Sequence, residues 1–183
     1  MRKIIAVINM TLDGFCDHTV MIADEEVHQH FADLLGDADT ILYGRVTYQL
    51  MQYWQTVLTN PTGIKATDEF AVQIDKISKI VFSRTLKDAG WQTARLARRG
   101  IEEEVRDLKQ QPGKDVLVGS PSLIVALTQL GLIDEYRLCI HPVIAGTGLP
   151  LFKKISDKIA LKLIKTKTFG SGTIAVYYQP SRQ

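Results

Sequence analysis

The chain has 183 residues, of which 45% are hydrophobic and 23% charged, and its net charge is +2. A chain of this size and apolar content buries one full core, so a single domain over 1–183 is expected and the disordered and membrane classes fall away. The basic residues are spread along the chain, which removes the electrostatic footprint of a dedicated nucleic-acid binder.

The densest basic run is Lys153, Lys154, Lys158, Lys162, Lys165 and Lys167. No aromatic residues interleave with these lysines to stack bases, and the run reads as a solvated face. Cys16 and Cys139 could close at most one bridge in a domain with ample core, so both read as free thiols of a reducing cytoplasm. The apolar run at the start is cut by Asn9, Thr11 and Asp13, too early for a signal peptide, and no segment approaches the ~18 apolar residues of a membrane span. A soluble cytoplasmic protein is expected.

In chain order, Ile4 to Ile8 is a short, nearly all-apolar run, the mark of a strand covered on both faces. From Asp24 to Leu35, Val27, Phe31, Leu34 and Leu35 fall on helical spacing behind an acidic first turn, and Gly36 stops the helix. Thr40 to Tyr43 predicts a second strand, broken by Gly44 ahead of a short helix over Val46 to Tyr53. Thr59 to Thr67 carries Pro61 and Gly63 and reads as a loop, and Phe70 to Ile77 as a helical turn or two. Lys79 to Ser83 is a third strand.

Ile101, Val105 and Leu108 mark one stripe of a charged helix, closed by Pro112 and Gly113 before the buried strand Val116-Leu117-Val118. Ser120 suits the N-cap of the next helix and Pro121 its first position, with Gly131 at its far end. Arg137 to His141 is another strand. Ala160 to Phe169 and Thr173 to Gln179 predict a terminal antiparallel hairpin through Gly170-Ser171-Gly172. Strands alternating with helices, followed by a hairpin, indicate an α/β fold with a mostly parallel sheet, an antiparallel edge and helices on both faces.

Three of the predicted strand ends carry anion-binding chemistry. Val118-Gly119-Ser120-Pro121-Ser122-Leu123 delivers the free N–H groups of a helix start, with Gly119 leaving room for close approach. Gly44-Arg45-Val46-Thr47 adds a guanidinium and a hydroxyl, and Ser83-Arg84-Thr85 adds a second guanidinium and two more hydroxyls. In a parallel α/β sheet these ends share one edge, and together they suit the several phosphates and riboses of a dinucleotide. Neither a Gly-x-Gly-x-x-Gly fingerprint with its acidic ribose ligand nor a Gly-Lys-Ser/Thr loop is present, so Rossmann and P-loop folds recede.

Met10-Thr11-Leu12-Asp13-Gly14, Gly44 to Tyr48, Phe82-Ser83-Arg84, Val118-Gly119-Ser120 and His141 to Phe152 occur in an order that resembles the reductase domain of bacterial riboflavin biosynthesis and its dihydrofolate-reductase-like relatives. The resemblance covers nearly the whole chain and implies a dihydrofolate-reductase-like three-layer fold and NADPH as cofactor. It implies that Gly44, Arg45 and Thr47 form the dinucleotide-phosphate loop, that Ser83 and Arg84 lie near the adenosine end, and that Gly119, Ser120, Pro121, Ser122 and Leu123 form the pyrophosphate turn. Ser120 stands where the family commonly has a second glycine. Similar reductases often pair, so a homodimer is a further expectation.

For catalysis, hydride transfer requires orientation of the nicotinamide against its acceptor and a source of protons. Asp13, in the loop that lines the substrate cleft of similar reductases, is the first candidate to bind a ring amide or relay a proton; its competing role is to fix its own Asp-Gly turn. Thr11 and Phe31 join it as substrate-binding candidates. True dihydrofolate reductases place an acidic residue one helical turn before that aromatic, and here the position is Val27, which moves the substrate away from folate. His28 and His30 lie two apart on a helix and cannot share a metal, so no metal site is expected. His141 reads as structural, and Tyr53 and Trp54 as core packing or a pocket wall. The expected reaction is reduction of a small heterocyclic, pyrimidine- or pterin-like, substrate. The alternative is a catalytically silent NADP-binding or assembly protein on the same fold.

Overall fold

The computed structural model describes residues 1–22, 24–153 and 155–181. In chain order the elements are β1 (Ile4–Thr11), α1 (Glu25–Gly36), β2 (Ala38–Gly44), α2 (Arg45–Met51), α3 (Trp54–Thr59), α4 (Lys65–Lys76), β3 (Ser78–Phe82), β4 (Ala94–Leu96), α5 (Ile101–Gln110), β5 (Asp115–Val118), α6 (Pro121–Gln129), β6 (Glu135–His141), β7 (Leu161–Thr168) and β8 (Ile174–Pro180). They form one eight-stranded sheet in the order β4-β3-β2-β5-β1-β6-β8-β7. The strands from β4 to β6 run parallel, and β8 joins β6 and β7 antiparallel.

β1 is apolar on both faces because it lies in the middle of that order with helices on either side. Ile4, Ala6 and Ile8 pack with Val116, Val118, Val105, Leu108, Ile124 and Leu127 on the face covered by α5 and α6. Ile5 and Val7 pack with Leu34, Leu35, Ile74 and Leu117 on the face of α1 and α4. Each such side chain, fully buried, contributes roughly 1.5–3 kcal/mol. The result is three layers, as the periodicity predicts.

α1 begins one residue into its expected span because Asp24 is its N-cap, accepting from the Val27 N–H at 2.8 Å. The helix expected over Val46 to Tyr53 is two helices, α2 and α3. No glycine or proline divides them; packing does. The Tyr48 ring is buried toward Trp91 and its hydroxyl donates to the Ala89 carbonyl, whereas Trp54 turns toward Phe70, 4.5 Å away between ring centres. The loop expected over Thr59 to Thr67 is shorter, because α4 runs for 12 residues and buries the small Ala66 and Ala71 beside Ile74, a weaker hydrophobic signal than large side chains make. β4, three half-buried residues at the sheet edge, carries no alternation that a pattern could reveal.

The terminal hairpin is present and turns at Gly172, whose φ of +83° is one that glycine adopts freely. Of the basic run, Lys154 lies outside the described residues and the other lysines are exposed. Two of them also stack on hairpin aromatics, Lys165 over Tyr177 and Lys167 over Phe169. Both cysteines are free, with burial pushing each thiol up to about 12. Among the described residues no helix is long and apolar enough to cross a membrane.

Candidate functional site

Because β3, β2 and β5 are neighbours, their following loops emerge side by side at the carboxyl edge of the sheet. Gly44 pairs with Phe82 in one register and Leu42 with Val118 in the other. The Gly44 N–H donates to Ser120 Oγ at 2.9 Å, tying the first loop to the third. A Cβ on Gly44 would stand 3.3 Å from Ser122 Oγ, so glycine keeps this junction open.

Ser120 holds the N-cap position of α6 with Pro121 behind it, yet its side chain makes no cap bond. Its hydroxyl is engaged by Gly44, and the amides of the first turn of α6 are left for an anion. Leu123 is buried in the core, so only its backbone faces this task. Gly119 adds to the sequence reading. Its missing side chain makes room for a protein ring, which that reading did not anticipate, since a Cβ there would meet Tyr43 Cε1 at 2.7 Å.

Arg45 is exposed, bonds only Gln49 Oε1 at 3.1 Å, and among the described residues forms no ion pair. Thr47 is half-exposed one turn on. Ser83 Oγ accepts from the Thr85 and Leu86 N–H groups at 3.1 and 3.0 Å, so this hydroxyl shapes its own turn, while Arg84 beside it is exposed. The loops thus present two cationic side chains and one uncapped helix end.

The loops after β1 and β6 are zipped together. Leu12 N–H donates to the Val143 carbonyl, Cys16 N–H to Leu149 and Leu151 N–H to Gly14. Asp13 closes this clasp: its carboxylate accepts from Gly146 N–H at 2.7 Å, Ala145 N–H at 3.1 Å and Thr11 Oγ1 at 2.6 Å. The Thr11 hydroxyl and these backbone donors hold the Asp13 pKa down at about 2. A carboxylate so held carries no proton at neutral pH, and the geometry favours the loop-fixing role over the relay. Thr11 is likewise committed: it is fully buried, and besides donating to Asp13 its hydroxyl accepts from Phe15 N–H at 3.0 Å, leaving it closed to a substrate.

The RibD C-terminal domain family matches residues 2–175. The chain belongs to that family. This RibD C-terminal domain is 39% identical over 185 residues to the uncharacterized protein YyaP of Bacillus subtilis strain 168, covering 97% of this chain and 94% of that protein. Its fold is shared with a putative riboflavin biosynthesis protein of Shewanella sp. PV-4, at a TM-score of 0.75 and 19% identity over 98% of this chain and 99% of that one. It is shared as well with an Enterococcus faecalis dihydrofolate reductase complexed with NADP(H) and RAB-propyl, at a TM-score of 0.67 and 13% identity over 98% and 97% of the two chains.

On the α1 side of this RibD C-terminal domain, Phe31 is half-buried where two apolar clusters meet. Val27 is buried beside it with Cys139, so the helix offers no carboxylate there. Glu26 is turned away and accepts from the Gly170 N–H at 2.6 Å. His28 packs edge-on against Trp54, 5.9 Å between ring centres, while His30 is buried on the other side against Phe169, 5.3 Å away. Among the described residues no three His, Cys, Asp or Glu side chains gather as metal ligands. The sequence reading passed over Asn9, a half-exposed amide on β1 whose Oδ1 lies 2.8 Å from His141 Nε2. Its only signal was a polar residue following the apolar run of a central strand.

Proposed function

We propose that the protein is an NADPH-dependent oxidoreductase that reduces a small heterocyclic compound of the pyrimidine or pterin class. The observation that carries this reading is the junction of Gly44 with Ser120, which sets a glycine-lined loop, an arginine without an ion pair among the described residues and an uncapped helix end against one another. These donors fit a dinucleotide: the amides of Ser122 and Leu123 would hold a pyrophosphate, Arg45 with Thr47 a further phosphate, and Ser83 with Arg84 the adenosine end. When bound, NADPH supplies a hydride to an electron-poor ring carbon.

The chain's own residues bind and orient. The clasp of Asp13 with Gly146 holds the two loops on the far side of the carboxyl edge, and half-buried Phe31 gives the substrate an apolar wall. Asp13 serves there as a fixed acceptor for an ordered water or a ring N–H. The relatives' names are consistent with this chemistry, one being a putative riboflavin biosynthesis protein and another a dihydrofolate reductase. The reading includes a cytoplasmic homodimer, for which β7, exposed along its whole length and bearing Leu161, Leu163 and Ile164, is the surface to be covered.

The test is binding of NADPH and NADH by fluorescence in the native protein and in Arg45→Ala. Tighter binding of NADPH that Arg45→Ala abolishes is expected; equal and unchanged affinities sink the cofactor assignment. The rival reading, a silent NADP-binding protein, is favoured by the low Asp13 pKa, and substrate-dependent NADPH oxidation by any ring compound rejects it.

A further inference from the structure

Asn9 and His141 take no part in the cofactor loops. Asn9 lies near the carboxyl end of β1 on the face of Ile5 and Val7, toward α1, between β5 with its Gly119 turn and β6. It pairs in register with Cys139, which packs with Val27 and Phe31, so the amide stands on the sheet face that carries these side chains, where the reductase reading puts the substrate. His141 beside it is fully buried, and its Nδ1 lies 3.4 Å from Thr173 Oγ1, which in turn accepts from Ser171 Oγ at 3.1 Å. Burial keeps the imidazole below its ordinary range, hence neutral at pH 7.

With its proton on Nε2, the neutral ring donates to Asn9 Oδ1 and fixes the amide with its oxygen toward His141 and its NH2 turned away from it. That NH2 has no hydrogen-bond partner among the described residues. We propose that Asn9 is the specificity-determining residue of this site, donating its amide hydrogen to a ring carbonyl, with His141 as the positioning residue that dictates which amide atom meets the ligand. The proposal rests on the reductase reading for the location of the substrate.

It also gives Val27 a reason. A helix carboxylate accepts from the amino group and ring N–H of an amino-substituted heterocycle; here that acceptor is gone and a neutral donor stands on the adjacent strand. The ring class that fits is a lactam or dione rather than a diamino ring. A donor that a bound ring covers while presenting it with an amino group is left unpaired, which is the arrangement by which a site rejects a close analogue.

The experiment uses two rings of one shape, pteridine-2,4-dione and 2,4-diaminopteridine, titrated at pH 7 into the full chain. NADPH affinity is measured first and separately. The native protein is expected to bind the dione about tenfold or more tightly than the diamino ring. Asn9→Asp, which replaces the outward donor with an acceptor, is expected to reverse the order, and Asn9→Ala to erase it. His141→Leu releases the amide to rotate and is expected to shrink the preference to within about threefold, with His141→Gln restoring part of it. A purely structural histidine would weaken both rings equally.

No preference in the native protein, a preference that survives both Asn9 variants, or no binding of either ring at millimolar concentration overturns the proposal. Loss of NADPH binding with the Asn9-dependent preference intact overturns the cofactor reading and leaves the proposal standing.

Discussion

The carboxylate of Asp13 accepts a hydrogen bond from the backbone N–H of Gly146 at 2.7 Å, across 133 positions of sequence. Leu12-Asp13-Gly14 and the segment from Pro142 to Phe152 therefore act as one clasp. Gly146 supplies a backbone at φ +72°, and Gly148 lets the Phe15 ring approach to where a Cβ would have it at 3.4 Å.

Replacing Asp13 by alanine opens that clasp. Hydrogen exchange at the Ala145 and Gly146 amides is expected to quicken about tenfold or more while the sheet amides keep their protection. Because the folded pKa, about 2, lies below the ordinary 3.8, the clasp is at full strength above that ordinary value and weakens as pH falls toward 2. Unchanged exchange at both amides would show that the backbone bonds hold the loops unaided.

Arg45→Ala removes a cation with no protein carboxylate to leave behind, so folding stability should stay within about 0.5 kcal/mol. NADPH affinity is expected to fall about 10- to 100-fold and NADH affinity by less than about threefold, as befits loss of a charge-assisted phosphate contact. Equal losses for both dinucleotides would move the Arg45 contact to a phosphate they share.

Gly119→Ala drives a methyl group into the Tyr43 ring, which is buried to 3% exposure and has nowhere to retreat. Overpacking of this kind costs about 1–3 kcal/mol, read as a lower urea midpoint, and the truncation Tyr43→Ala in the same chain should relieve part of it as a non-additive pair. If Gly119→Ala is neutral in stability and damages only cofactor binding, the glycine serves the phosphate after all.

His30 gives the fold an acid-sensitive point. Burial, reinforced by Lys167, lowers its pKa from 6.5 to about 4, so between those values the unfolded chain binds a proton that the folded chain refuses. Stability falls as pH drops through that window, by at most about 3 kcal/mol. In His30→Phe the difference between urea midpoints at pH 7 and pH 4.5 should narrow; an identical difference would place the acid sensitivity in other groups.

Much of the architecture is legible in the residues. Ile4 to Ile8 and Val116 to Val118 are apolar on successive positions because both faces are covered, and Val27, Phe31, Leu34 and Leu35 fall on one stripe because only one face is. Gly44, Pro121 and Gly172 punctuate elements at positions where their backbone chemistry is needed. The three strand-end loops follow from the same logic, since parallel strands send their carboxyl ends to one edge.

The site's pairings are another matter, because each depends on which strands become neighbours. No local pattern separates α2 from α3, which part where Tyr48 and Trp54 find different partners, and none marks β4. That Gly119 clears space for the Tyr43 ring follows only from β2 setting that ring against it. Composition and periodicity determined the layers, the starts of α1 and α6 and the chemistry on each loop, for these are properties of contiguous residues. Only the tertiary structure decided that Asp13 meets Gly146, that Ser120 meets Gly44 and that Asn9 meets His141, because those contacts arise from the register of strands and loops far apart in sequence.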